Sequence, residues 1–189
     1  MNGRPPVPST AGMTALGEAA LGQLAIRVAD YRMLLRLSQG APDGHSGRHL
    51  RGSAVVRHGN ALTDLVAVLE SFTVTRLLHL RPAVAYNQIM KWTDRIKMWK
   101  KYGGVDLATY PQLQAVLGFV EVRNALEHGL GRLTERQLGQ HRDEVLRQIV
   151  ATGVQLDGDR VLVTPEDVGR CGDVGEGFVR FLDLHAPKT

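Results

Sequence analysis

Apolar residues return every third or fourth position along most of this chain, and that spacing commits it to helices. Leu21, Leu24, Val28, Tyr31 and Leu35 form one stripe, with Arg27, Arg32 and Arg36 set off it. It predicts a first helix over residues 14–39. Leu62, Leu65, Leu69 and Phe72 form a second stripe, in a helix over residues 53–80. Residues 40–52 between them are rich in Gly, Ser, Pro and Asp and read as a loop or boundary. Pro82 suits the first turn of a third helix, whose stripe is Ala85, Ile89, Trp92, Ile96 and Trp99. Gly103-Gly104 stops it, residues 105–110 connect, and Pro111 opens a fourth helix. Thr134 and Gln137 have the spacing of a capping box, which starts a fifth.

A different period follows. Val154 and Leu156 alternate with Gln155, and Val161 and Val163 come after Asp157-Gly158-Asp159, the pattern of a small hairpin. Thr164-Pro165-Glu166-Asp167 then combines an N-cap, a proline at the first helical position and acids in the first turn. Val168, Cys171, Phe178 and Leu182 give that last helix an apolar face. Gly169, Gly172, Gly175 and Gly177 predict that it is weak and broken. The expected fold class is all-α: a helical bundle with a small β-hairpin near the C-terminus.

At 189 residues the chain suits one domain with a real core. Residues 1–13 read as a disordered, Pro-rich leader and 14–52 as an N-terminal helix and loop packed on the core. Residues 53–185 form the main helical domain and 186–189 a tail. No apolar run is long enough to span a membrane, and no signal-peptide core follows Arg4. One cysteine, Cys171, excludes an internal disulfide, which fits a reducing cytoplasm. The net charge of +4 favours polyanions through phosphate contacts.

Several chemistries lack their residues. His45 and His49 are four apart, but Gly47 lies between them and no acidic or thiol ligand is near, so no metal site is expected. Cys171 has no neighbouring histidine to activate it. Residues 172–177 carry too many glycines to ignore, yet follow no parallel strand and end in no Lys-Ser/Thr, so they are not a phosphate loop. No cofactor is implied.

The polar residues concentrate at the end of helix four, in Glu121-Val122-Arg123-Asn124-Ala125-Leu126-Glu127-His128-Gly129. Leu113, Val116, Leu117 and Val120 share one helical face, and that face continues into Arg123, Asn124, Glu127 and His128. Phe119, Val122, Leu126 and Leu130 keep a second stripe apolar, which anchors the helix end. On spacing alone, Arg123 and Glu127 form an ordinary surface ion pair, His128 complements the helix dipole, and Asn124 is solvated.

The segment also resembles the motif of the HEPN superfamily (higher eukaryotes and prokaryotes nucleotide-binding). That motif is an Arg, often followed by a polar residue, with a His four to six positions on. Here it is Arg123-Asn124-Ala125-Leu126-Glu127-His128, continued by Gly129-Leu130-Gly131-Arg132-Leu133-Thr134. The resemblance extends over about residues 53–184 in the order of its helices. It implies a HEPN-like helical bundle and a metal-independent endoribonuclease, working as a homodimer with both motifs in one cleft. Arg123 and His128 are about 140° apart on an ideal helix, so a second copy would complete the site. The implied catalytic residues are Arg123, Asn124 and His128. Arg123 would grip the phosphate, His128 would move protons, and Asn124 would orient one or the other. RNA is the implied partner, and a toxin or phage-defence role, with a protein antitoxin or another defence component, would follow from the family. Members controlled by adenylylation carry a Tyr two residues after the His. Here that position is Leu130, so this mode of control is not expected.

Lys100 and Lys101, beside Trp92, Trp99 and Tyr102, are candidate RNA contacts through phosphate and stacking, and Arg132 is a third. The plainer reading puts both Trp residues in the core and the lysines on the helix dipole. The second function kept open is a catalytically silent HEPN-like module that dimerises or binds nucleic acid or nucleotides.

Overall fold

The computed structural model describes residues 12–39 and 45–188, with side chains for 12–38 and 56–188. The expected leader up to residue 11 and the side chains of His45 and His49 lie outside the described residues. Seven α-helices are present among those described: α1 (Ala15–Gln39), α2 (His45–Leu80), α3 (Trp92–Met98), α4 (Leu113–His128), α5 (Glu135–Leu138), α6 (Arg142–Thr152) and α7 (Pro165–His185). Strands β1 (Gln155–Asp157) and β2 (Arg160–Leu162) form one antiparallel hairpin. The fold class is all-α with one small hairpin, as the apolar spacing predicts.

The long helices α1, α2 and α7 pack on one another, and α4 packs on α2, α6 and α7. Leu62, Leu65, Val66 and Leu69 of α2, Val116, Phe119 and Val122 of α4, and Phe178, Val179 and Leu182 of α7 fill the core. Burying such side chains stabilises by about 1.5–3 kcal/mol each. Polar groups inside are partnered. Asp183, fully buried on α7, accepts from the backbone N–H and hydroxyl of Thr14 at 2.6 and 2.7 Å and from Arg76 Nε at 3.0 Å. One carboxylate thus ties the start of α1 and the last turns of α2 to the end of α7.

Both predicted caps are present. Thr134 Oγ1 accepts from the Gln137 N–H and Gln137 Oε1 accepts from the Thr134 N–H. Thr164 and Asp167 do the same at the start of α7. The helix after Thr134 is nevertheless a single turn, α5, with α6 beginning separately at Arg142. The hairpin pairs Leu156 with Val161, and Gly158 takes the left-handed conformation (φ 62°) that the two-residue turn requires.

Four expectations are corrected. Helix α2 begins at His45, not Ser53, and runs without a break across Gly47 and Gly52. Residues 82–91 are not helical beyond one 3-10 turn, Tyr86–Gln88. Arg95 donates to the carbonyls of Ile89 and Met90, at 3.1 and 3.3 Å, and so holds that segment outside a helix. Helix four starts at Leu113, with Pro111 and Gln112 in the preceding turn. The last helix, α7, is continuous despite its glycines, because they admit side chains from the other helices. A Cβ at Gly172 would lie 2.8 Å from Val28, and one at Gly175 would lie 3.2 Å from Leu69.

Close approach matters most between α4 and α6. A Cβ on Gly118 would sit 2.0 Å from the Gln148 carbonyl oxygen. Gly118→Ala is therefore expected to force the two helices apart and to destabilise by about 2 kcal/mol. Urea unfolding of the variant checks this, and an unchanged midpoint counts against the packing described.

A buried Tyr31–His58 pair joins α1 to α2, with the hydroxyl 2.8 Å from Nδ1. Burial holds the imidazole below its ordinary 6.5, the Arg57 charge adds to this, and Glu166 opposes it. The unfolded chain then binds the proton more readily than the folded one. Stability from this group is complete above about pH 6.5 and is lost as pH falls through the lower folded value. Thermal unfolding between pH 7 and pH 5 is expected to show that slope, and His58→Gln is expected to flatten it.

Candidate functional site

Helix α4 carries the site because its two sides are opposite in character. Val116, Phe119, Val122 and Ala125 are fully buried, which fixes the helix in the bundle. Arg123, on another side, has an 18% exposed side chain held between two carboxylates. One guanidinium nitrogen donates to Glu70 Oε2 and another donates to Glu127 Oε2 at 3.0 Å. Glu70 is fixed in turn, since its Oε1 accepts from Trp92 Nε1 at 2.9 Å and faces Arg95 at 3.9 Å. The buried Arg95 lies over the Trp92 ring at 4.5 Å and also donates to Thr73 Oγ1. Burial pulls the Arg95 guanidinium below its ordinary range, while the Glu70 charge acts against the shift. The fork of Arg123 is thus positioned from behind by a chain of partnered groups.

His128 is 66% exposed, at the last position of α4. Its Nε2 lies 3.9 Å from Glu127 Oε2, the same oxygen that accepts from Arg123. The two motif residues leave the helix in different directions, yet both reach one anionic oxygen. Asn124, one turn before His128, is half-buried and makes no side-chain hydrogen bond among the described residues.

The end of the helix departs from expectation. Leu130 does not extend the apolar stripe. It is 94% exposed and adopts a left-handed backbone (φ 52°) outside the helix. The N–H groups of Gly129 and Gly131 both donate to the Ala125 carbonyl, which ends α4, and Val161 N–H donates to Gly131 O. A Cβ on Gly129 would lie 1.8 Å from the Arg132 carbonyl oxygen, so this turn needs glycine there. The hairpin and the helix end together hold the backbone that follows His128.

A groove of about 540 Å³ opens beside the motif, bounded by α3, α4, α5 and α6. Arg123 and Asn124 belong to its lining, with Ile96, Leu117, Val120 and Val145 as apolar surface and Lys91, Arg136 and His141 as basic groups. His128 is outside the groove.

The other sequence candidates lie elsewhere. Lys100 donates to Asp106 at 2.6 Å, and that bond, with the Ala108 N–H, holds the Asp106 carboxyl below its usual range. Lys101 lies over the Tyr102 ring at 4.7 Å, and Arg132 pairs with Asp159. None of the three lines the groove. Trp99 is fully buried in the core and donates to Thr73 O, whereas Trp92 is half-buried, donates to Glu70 and lines the groove. Burial pushes the Cys171 thiol far up, away from thiolate chemistry.

Sequence reading missed Glu70, 53 positions before Arg123, and the basic groups of the groove. Glu70 follows Leu69 in α2 but lies off the core stripe, so no local signal marked it. Among the described residues there is no group of three or more His, Cys, Asp or Glu able to hold a metal, and no helix long and apolar enough to cross a membrane. No family model, no curated protein and no solved structure matches the chain.

Proposed function

We propose that this chain is a metal-independent endoribonuclease of HEPN type, cleaving RNA by attack of the 2′-OH on the adjacent phosphorus. The observation that carries the reading is the shared oxygen. Glu127 Oε2 lies within reach of both Arg123 and His128, where a non-bridging phosphate oxygen would displace it. The Glu127 side chain is 38% exposed, against 18% for Arg123, so it can swing out as phosphate enters. Glu70, half-buried and held by Trp92, keeps the guanidinium aimed.

The reaction balances without a cofactor. A general base takes the 2′-OH proton, O2′ bonds to phosphorus, and the P–O5′ bond breaks as O5′ gains a proton. The products are a 2′,3′-cyclic phosphate and a 5′-OH. His128 supplies one of the two proton transfers, Arg123 offsets charge developing on the phosphoryl oxygens, and Asn124 orients the phosphate. The second proton carrier comes from His128 of a second copy, in a homodimer whose cleft holds both motifs. The exposed Leu130, two residues beyond His128, is apolar surface available to such a contact. Toxin or defence use, with a protein antitoxin, belongs to the same proposal.

The test is incubation of the purified chain with end-labelled RNA in excess chelator. Cleavage to cyclic-phosphate ends, with the same DNA sequence left intact, is the expected result. Dependence on added metal, or equal cutting of DNA, sinks it. One observation favours a second reading, a catalytically silent module. Arg123 already has two carboxylate partners. In that case RNA stays intact at every protein concentration while the folded dimer persists.

A further inference from the structure

We infer that the groove bounded by α3, α4, α5 and α6 is a nucleotide subsite that seats one base of single-stranded RNA beside the cleaved phosphate. The inference rests on the ribonuclease reading and gives that site a means of choosing its substrate.

Size and lining come first. About 540 Å³ is within the range of roughly 300–1,000 Å³ typical of small-ligand sites. Ile96, Leu117, Val120 and Val145 offer apolar surface from three helices, which suits the face of a base. The charges are not equivalent. Glu70 is offset by Arg123 and Arg95. Glu121 Oε2 accepts from Gln137 Nε2 at 2.7 Å, and Glu144 Oε1 accepts from Gln148 Nε2 at 3.3 Å. By contrast, the side chains of Lys91 and Arg136 have no hydrogen-bond or ion-pair partner among the described residues. Two cations are therefore free to take a phosphate.

The polar groups discriminate among ligands. A simple anion entering the groove would meet Glu121 and Glu144 as well as the two cations. A nucleotide presents both kinds of partner. Its phosphate matches Lys91 and Arg136, and the amino hydrogens of its base match the carboxylates. The Asn124 amide, without a hydrogen-bond partner among the described residues, can both donate to and accept from a base edge. Arg123 and Asn124 are shared between groove and motif, so a nucleotide seated here is joined through its own phosphate to the reacting centre. Only an unpaired base can be turned into such a groove, which restricts the substrate to loops and single strands.

The experiment uses the full-length chain and four ribonucleoside 3′-monophosphates, with inorganic phosphate as the comparison. Methyl resonances of Ile96, Leu117, Val120 and Val145 are followed by NMR during each titration. At least one nucleotide is expected to shift them and to bind about tenfold more tightly than phosphate. Arg136→Ala and Lys91→Ala, both at exposed positions, are each expected to weaken that nucleotide about fivefold or more. In cleavage assays they raise KM more than they lower kcat. Silent methyl groups at millimolar nucleotide, or equal affinity for phosphate, overturn the inference. So does unchanged binding in both variants. Shifted methyls in a protein that leaves RNA intact keep the subsite and remove the ribonuclease reading. RNA cleavage with silent methyls does the reverse.

Discussion

His128→Ala is expected to abolish the proposed RNA cleavage, with a loss of about a hundred- to ten-thousandfold, and to leave the protein folded. The expectation joins two observations. The imidazole is largely exposed and lies beside the half-exposed Glu127, so its removal leaves no cavity and no buried orphan among the described residues. The unfolding temperature is expected to remain within about 2 °C of the parent. The ring is also the group to which the proposed mechanism assigns a proton transfer. Arg123→Lys separates charge from geometry. It keeps a cation between Glu70 and Glu127 but loses the planar fork, and cleavage is expected to fall while the fold survives. Single-turnover cleavage and thermal unfolding, run on the same preparations, check both halves. Residual activity near the parent level in His128→Ala removes this residue from the mechanism.

Asp183→Ala is expected to lower the thermal midpoint by about 10 °C. The carboxylate is fully buried, and its partner Arg76 is 2% exposed. Truncation strands the Arg76 guanidinium, which keeps only its bond to Pro187 O at 2.7 Å. It also removes both acceptors of Thr14 at the start of α1. Breaking a buried pair in this way costs about 3–5 kcal/mol. The double change Arg76→Met with Asp183→Leu removes both charges together and is expected to recover much of the loss. Calorimetry of the two variants decides the matter. A fall of less than about 3 °C in Asp183→Ala means that the tie between α1, α2 and α7 carries little of the stability.

Much of the fold was legible because helices and hairpins announce themselves locally. The stripe Leu62, Leu65 and Leu69, the caps Thr134 and Thr164, and the turn Asp157-Gly158-Asp159 all have their predicted roles. The misreadings share a cause. Residues 82–91 look helical until the Arg95 side chain, arriving from α3, takes the carbonyls of Ile89 and Met90. The glycines of α7 look like breaks until Val28 and Leu69 are seen to pack against them. Leu130 reads as a further member of an apolar stripe, but the chain has already left the helix, so its side chain meets solvent.

The candidate site divides the same way. Spacing alone placed Arg123 next to Glu127, because residues four apart on one helix are neighbours whatever surrounds them. Nothing local could show that Glu70 reaches Arg123 from α2, or that Lys91 and Arg136 share a groove with Asn124. Periodicity along the chain settled the fold class and most of the long helices, with the order of the polar residues on them. Which of those residues became fixed, and which stayed free to meet a ligand, was decided by packing between segments far apart in sequence, where burial and charge pairing act through space.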